Sequence, residues 1–596
     1  MKKCLHVLFM IAALALTFSA CTSQVDETAD KKTEEVKDPE ATTPQGQTPQ
    51  GQNPQGQNPD PKGTEDPNNT QDPNNTDDPN NNQDPNNKDP TPVFDRFALE
   101  QILITRTEEL LSGESKLDDF IKEPAKSYVN ANKPEPYYVN CTLTYGGGDP
   151  LKCKIKVRGN WTTSYDKKSL RIKFDKKQNI LGLHGGEKYK NWVLLAGWKD
   201  ASFLRDAAGF TMFKTMFPDY YCSDFRLVEV LLKTDDIDTP ESLGIYLLAE
   251  QQEGKTGRIN ITEADEANQT DTNIGYIIEM DSYCKYEDEN QKFYLDNYGE
   301  IKTYNGKKAG GLTTGYTIKN DMYSATQRDF IKNYMNKLWK ICYNAAYKNT
   351  YYRFNNTNDD IELYTPEGNT NDEKAQNCIA QVIDLTSLVN TYIFNEIVCD
   401  PDLYYSSFYM DIDFKGADHR LRFEAPWDFD STMGNKCFCA NSKDDADNFM
   451  DNSKTKRFTI SSMYAGNGQP DVNGSYSEGI RVNPWLVIFI RSAWFQDIVK
   501  TQWASINKGE VTANVTTVID NYTNSEDFTA AFTATRDKWG VYDKIKTPSE
   551  FGELNTKTQA AAQTSQAAAA AYLREWLIAR IDAVGKIIDD LETPQN

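Results

Sequence analysis

Residues 384–435 read DLTSLVNTYIFNEIVCDPDLYYSSFYMDIDFKGADHRLRFEAPWDFDSTMGN. Leu385, Leu388, Val389, Tyr392, Ile393 and Ile397 recur at helical spacing, and Asp384 is placed to cap the first turn. The helix must stop before Pro401, because a proline disfavours helical backbone in the residue before it. A polar loop with Asp400 and Asp402 follows. Then come a β-hairpin over residues 408–424 and a second acidic loop with Asp428 and Asp430. Two acidic loops joined by a hairpin bring carboxylates to one mouth, which suits a metal ion and a phosphoryl group.

Upstream, β-signals dominate. In Lys152-Cys-Lys-Ile-Lys-Val157 lysines alternate with apolar residues at period two, after a turn at Gly146-Gly-Gly-Asp-Pro150. The loop Arg158-Gly-Asn-Trp-Thr-Thr-Ser-Tyr165 leads through Lys167 and Lys168 into a second alternating strand, Leu170-Arg-Ile-Lys-Phe174. Residues 192–195, 225–232 and 245–249 are further strands. Asp200 can cap a helix with Phe203, Leu204, Ala207, Ala208 and Phe210 on one face. Residues 137–260 therefore predict a mostly antiparallel sheet carrying one helix. Residues 98–113 predict an amphipathic helix closed by Gly113. Beyond residue 270, strands at 275–280 and 316–319 give way to helices at 325–345, 485–503 and 560–591. The fold class is α+β, with a β-rich lobe over 94–260 and a helix-rich lobe over 261–596.

The first residues carry a different message. Lys2 and Lys3 precede an apolar run, Leu8 to Leu16, ending in Phe18-Ser-Ala-Cys21, the pattern of a bacterial secretory signal peptide over residues 1–21. Cys21 in that setting resembles the lipidated cysteine of a lipoprotein. It predicts a bacterial cell-envelope protein held to a membrane by an N-terminal lipid anchor. Residues 22–93, with repeated Pro-Gln-Gly and Asp-Pro-Asn-Asn units, lack apolar side chains to bury and predict a disordered tether.

Composition narrows the chemistry. The net charge of −23 argues for no nucleic-acid partner, which needs a basic footprint. Histidine occurs only at His6, His184 and His419, too few for a histidine-based zinc site or His-dependent catalysis. Nine cysteines follow Cys21, an odd number, and only Cys437 and Cys439 are close in sequence. Buried free thiols, with at most a disulfide among them, are the expectation.

Taken in order, several pieces match a known family. They are Arg158-Gly-Asn160, Lys167-Lys-Ser-Leu-Arg-Ile-Lys-Phe174, Trp192-Val-Leu-Leu195, Asp200 with Arg205, and Gly244-Ile-Tyr-Leu-Leu-Ala-Glu250. Asn395-Glu396 with Asp402, Ser406-Ser-Phe-Tyr409 and Pro426-Trp-Asp-Phe-Asp430 complete the set. Their order and spacing over residues 95–590 resemble the spore coat protein H (CotH) kinase family. That resemblance implies a two-lobed, atypical protein-kinase-like fold. It implies transfer of the ATP γ-phosphate to Ser or Thr hydroxyls of exported or surface proteins, with Mg²⁺ or Mn²⁺ as cofactor. Asp402 would orient or deprotonate the acceptor hydroxyl, and Asp428 would hold the metal with help from Asp430. Lys168, preferred to Lys173, would neutralise phosphate; Arg158 and the backbone of Gly159 would cover the phosphates. Glu250 and Gln251 would meet the nucleotide base.

The sequence also departs from the protein-kinase pattern. It has no G-x-G-x-x-G loop, Cys399-Asp-Pro-Asp402 replaces His-Arg-Asp, and Ser407 stands where a metal-binding asparagine is expected. Two other functions fit the residues. One is a non-catalytic surface module that keeps the fold, since an exported kinase needs a nucleotide supply. The other is a different nucleotide-dependent transferase, because Asp411-x-Asp413 and Asp428-x-Asp430 each have the form of a D-x-D metal grip. Trp427 is expected to pack under its loop, and Lys152, Lys154 and Lys156 to form a solvated sheet face.

Overall fold

Alternation at period two builds the first layer. The computed structural model describes residues 94–106, 138–159, 161–234, 239–310, 312, 314–435, 460–468, 481–540, 561 and 564–592, all within one compact unit, Glu65–Asn596. Seven strands form a closed barrel: β1 (Glu100–Arg106), β2 (Val139–Tyr145), β3 (Leu151–Arg158), β4 (Ser169–Gln178), β5 (Tyr189–Leu195), β6 (Phe225–Thr234) and β7 (Glu241–Glu250). Their order around the barrel is β1-β2-β3-β4-β5-β7-β6. Ile155, Val157, Leu170, Ile172, Trp192, Leu194, Val228, Val230 and Leu248 fill its interior.

Barrel closure overturns one expectation. The helix read over residues 98–113 is a strand, β1, over its described part, and residues 107–113 lie outside the described residues. Ile102, Ile104 and Arg106 alternate inward, while β1 runs antiparallel to β2 and parallel to β6. Pairing on both sides satisfies the backbone that a sheet edge would leave open, and this long-range gain outweighs a local helical pattern. The lysine row is also not uniformly wet. Lys152 and Lys154 are exposed, but Lys156 is buried with its ammonium over the Tyr138 ring.

Helix α1 (Arg205–Met216) follows β5 and is buried nearly all round rather than on one face. Its N-cap position is Leu204 rather than Asp200, but Asp200 accepts the Arg205 N–H at 2.8 Å from five residues upstream while pairing with the Arg205 guanidinium at 2.6 Å. A second sheet is made of β8 (Gly275–Asp281), β9 (Lys292–Phe293), β10 (Gly315–Ile318), β13 (Phe408–Asp413) and β14 (Arg422–Phe423), in the order β14-β13-β8-β10-β9. A small hairpin, β11 (Tyr352–Phe354) with β12 (Ile361–Leu363), stands apart from it. The remaining helices are α2 (Ala325–Lys348), α3 (Asn371–Ile379), α4 (Leu385–Val398), α5 (Pro484–Val487), α6 (Ala493–Ser505), α7 (Lys508–Thr523), α8 (Glu526–Trp539) and α9 (Gln566–Asp589). The single helix expected over 485–503 is broken into α5 and α6, and α3, α7 and α8 were not anticipated.

The second sheet has two unlike faces. Tyr276, Ile278, Met280, Tyr316, Ile318, Phe408, Met410 and Ile412 belong to a core shared with the helices and with the outer face of the barrel. By register the opposite face carries Glu279, Asp281, Thr317, Tyr409 and Asp411. Among the described residues no helix is long and apolar enough to cross a membrane.

Candidate active site

The first acidic loop hangs from α4. Asp384 caps that helix through the Ser387 N–H, and Cys399 ends it in left-handed backbone. Glu396, fully buried, accepts Tyr392 Oη at 2.9 Å and the N–H groups of Tyr464 and Gly466 at 2.7 and 2.8 Å, and Arg580 of α9 pairs with it at 3.3 Å. Tyr464 Oη in turn donates to the Asp400 carbonyl at 2.8 Å. The Asp400 carboxylate accepts the Asp402 N–H at 2.8 Å, closing a 3-10 turn over Pro401–Tyr404. This scaffold presents the half-buried Asp402.

Ser407 links this loop to the second. Its backbone is left-handed (φ 61°), its N–H donates to Glu279 Oε1 at 2.8 Å, and its hydroxyl donates to Asp428 Oδ2 at 3.3 Å. Glu279 also pairs with Lys319 at 2.9 Å.

The second acidic loop is held by the aromatic residues that flank Asp428. Trp427 is buried, with the Arg158 guanidinium 5.4 Å above its ring. Phe429 is buried against Phe210 and Phe394. It comes so close to α1 that a Cβ on Gly209 would lie 2.4 Å from its ring. The Phe429 N–H donates to Asp206 Oδ1 on the same helix at 2.8 Å. Asp428, between the two rings, takes left-handed backbone (φ 70°).

Charge is concentrated here. Burial, then Asp430, then Asp402, raise the Asp428 carboxyl to about 7, against the opposing pull of Arg158 and Lys199. Burial, then Asp430 and Asp428, hold Asp206 well above the ordinary carboxylate range. Loss of solvation lowers Arg158, while Tyr409, Asp428 and Glu279 favour its charged form. Lys199 lies over the Tyr165 ring at 5.2 Å. Asp430 accepts the Ser431 hydroxyl at 2.9 Å.

The structure thus brings Asp402, Asp428, Asp430 and Arg158 into one electrostatic group. Gly159, next to Arg158, has φ 111°, and a Cβ there would strike Thr162 Oγ1 at 2.0 Å, so only glycine fits the loop. Lys168 is buried, donates to the Tyr165 carbonyl, and is lowered to about 8 by burial. Lys173 lies opposite Lys154 on the outer barrel face. The Glu250 side chain is fully buried and committed to Arg258 at 3.2 Å, His184 at 3.0 Å and the Asp224 N–H at 2.8 Å. Gln251 is half-buried, its amide 3.5 Å from the Gln252 carbonyl. Asp411 pairs with Arg422 and Asp413 accepts from Thr262, so that D-x-D pair serves the sheet. Cys21, Cys437 and Cys439 lie outside the described residues.

Lys199, Asp206 and Lys319 were missed. Asp206 adjoins Arg205, a residue of the family pattern, which was the available signal. Lys199 had none beyond its place after the Trp192–Leu195 strand.

Among the described residues no three His, Cys, Asp or Glu side chains converge as a ready-made metal cage. The donor set nevertheless fits Mg²⁺, which is held by one or two carboxylates and completes its shell with phosphate oxygens and water. Asp428 and Asp430 are hard oxygen donors whose mutual repulsion a cation would relieve.

The CotH kinase protein family matches residues 155–584, most of the chain, from within β3 to within α9. The chain belongs to the CotH kinase protein family. No curated protein matches it. Family membership gives the CotH acidic loops a kinase-like setting, and ATP with a divalent metal is the general expectation for such a site.

Proposed function

We propose that this CotH-family chain transfers the γ-phosphate of ATP to Ser or Thr hydroxyls of exported or surface proteins, using Mg²⁺ or Mn²⁺ between two kinase-like lobes. The observation that carries the reading is the link between the two acidic loops, where the Ser407 hydroxyl donates to Asp428, and the electrostatic group in which Asp430 and Asp402 oppose Arg158 and Lys199 at that carboxylate. Asp402 accepts the proton of the acceptor hydroxyl as its oxygen attacks the γ-phosphorus. The bond to the β-phosphate oxygen breaks, and ADP leaves. Asp428, with Asp430, would hold the divalent ion, which would supply positive charge to the phosphate oxygens. Ser407 keeps one Asp428 oxygen oriented through its hydroxyl. Arg158 and Lys199 stabilise the negative charge of the transferring group.

The signal pattern and Cys21 support action in the bacterial cell envelope, on a lipid-anchored chain whose residues 22–93 give it reach. Incubation of the purified chain with radiolabelled ATP, Mg²⁺ or Mn²⁺, and casein tests the activity. Transfer should fall by about 100- to 10,000-fold in Asp402→Ala, the usual range for losing a general base, and vanish in Asp428→Ala. Absence of both transfer and nucleotide-induced thermal shift in the unmodified chain sinks the reading.

A further inference from the structure

Cys141 and Cys153 face each other inside the barrel. On β2, Val139, Cys141 and Leu143 alternate inward, and on β3 Cys153 and Ile155 do the same. The two strands pair antiparallel with Cys141 directly opposite Cys153. Both side chains are buried, at 1% and 3% exposure, among the apolar residues that fill the barrel. Their sulfur atoms lie 3.5 Å apart. The strands belong to one hairpin, closed over residues 146–150, where Gly146 and Gly147 take left-handed backbone (φ 57° and 70°).

This placement admits a covalent bond with the backbone left as it is. Residues directly opposite in an antiparallel pair have Cα atoms about 4.5 or 5.5 Å apart, according to their place in the ladder. Both values fall within the range of about 4.4–6.8 Å that a disulfide spans. Small rotations about the two Cα–Cβ bonds bring sulfurs from 3.5 Å to the bonded separation of about 2.05 Å.

We propose that Cys141 and Cys153 form a disulfide in the exported chain, a covalent link between β2 and β3 inside the barrel. The proposal rests on the export reading above, which puts the folding chain in an oxidising compartment. The bond forms by thiol–disulfide exchange. One cysteine thiolate attacks a disulfide-bearing oxidant, either a protein or glutathione disulfide, and the other cysteine displaces the mixed disulfide. Each cysteine gives up one proton and one electron, and the oxidant leaves as two thiols. The contact with Cys141, then burial, raise the Cys153 thiol far above its ordinary range, so the closed barrel offers no thiolate for exchange. Oxidation therefore belongs to the open hairpin during folding, and the finished bond is shielded from reductant. Because β3 ends at Arg158, the link also pins the strand that sets that guanidinium over Trp427.

The test refolds the full chain from denaturant in a mixture of glutathione and glutathione disulfide, then alkylates and digests it without reductant. Mass spectrometry should find the fragments carrying Cys141 and Cys153 joined. The linked chain should melt several degrees above the chain refolded in reductant, because the link restricts the unfolded hairpin. Cys141→Ala/Cys153→Ala should lose that difference. Both thiols alkylated, or either sulfur joined to another cysteine, overturns the proposal. The same mapping on chain trapped with iodoacetamide in intact cells tests export separately. Free thiols in chain that fractionates with the envelope overturn the proposal. Free thiols in chain that fractionates with the cytoplasm, after the pair has linked on refolding, uphold the pair and overturn export.

Discussion

At the residue scale, Ser407 and His184 carry the sharpest consequences. Ser407 stands where a kinase loop has asparagine, yet its hydroxyl reaches Asp428 and its backbone is left-handed. Asparagine tolerates that backbone better than most residues and brings an amide oxygen, a stronger ligand for a hard cation. Ser407→Asn should therefore lower the Mg²⁺ concentration needed for half-maximal transfer, read by titrating Mg²⁺ at saturating ATP. An unchanged or higher requirement argues that the serine is the better ligand here. His184 is held above its ordinary value first by its hydrogen bond to Glu250, against burial. A histidine raised on folding contributes stability that is fully present below its unfolded value, about 6.5, and is lost as pH rises through the folded one. His184→Asn should flatten that part of the curve, so that melting temperature changes less between about pH 6 and 8 than in the unmodified chain.

At the element scale, α1 and the Asp428 loop behave as one piece. Gly209 lets the Phe429 ring lie on the helix, and Asp206 takes the Phe429 N–H. Alanine at 209 would gain about 1 kcal/mol of helix propensity. Its Cβ, however, would sit 2.4 Å from a buried ring, and overpacking of that kind costs about 1–3 kcal/mol. The clash wins or draws in stability, but it acts directly on the residue after Asp428. Gly209→Ala should therefore lower phosphate transfer more than about tenfold, while the melting temperature falls by only a few degrees. A variant with full activity would show that the loop can shift without moving Asp428. The Glu396–Arg580 pair anchors α4 to α9 by the same logic. Its partners are wholly buried, and removing one strands a charge at a cost of about 3–5 kcal/mol.

At the scale of the whole molecule, a net charge of −23 and a buried acidic cluster leave the ligand-free chain with unrelieved repulsion at the site. Bound Mg²⁺ and ATP relieve it and also stabilise by mass action, about 2.7 kcal/mol at a hundred times the dissociation constant. Melting temperature should rise with Mg²⁺ and ATP together. In Asp428→Asn the shift should be lost while the ligand-free melting temperature holds or rises, because one repelling carboxylate is gone. A full shift in that variant would place the metal elsewhere.

What the chain determined by itself was local: the two acidic loops, the hairpin between them, the cap at Asp384, the alternation of β3 and β4, and the shortage of histidine that leaves the chemistry to carboxylates. These depend on neighbours within one element, so period and turn chemistry suffice to read them. Only the tertiary structure decided that residues 100–106 are a strand, because that choice rests on pairing with β2 and β6. It alone set Asp206 against Phe429, 223 residues away in sequence, and gave Lys199 a place beside Asp428. It also showed Glu250 committed to Arg258 and His184 and, among the described residues, the Gln252 side-chain amide without a hydrogen bond. Contacts of that range depend on how barrel, helix and sheet pack, and no spacing along the chain encodes them.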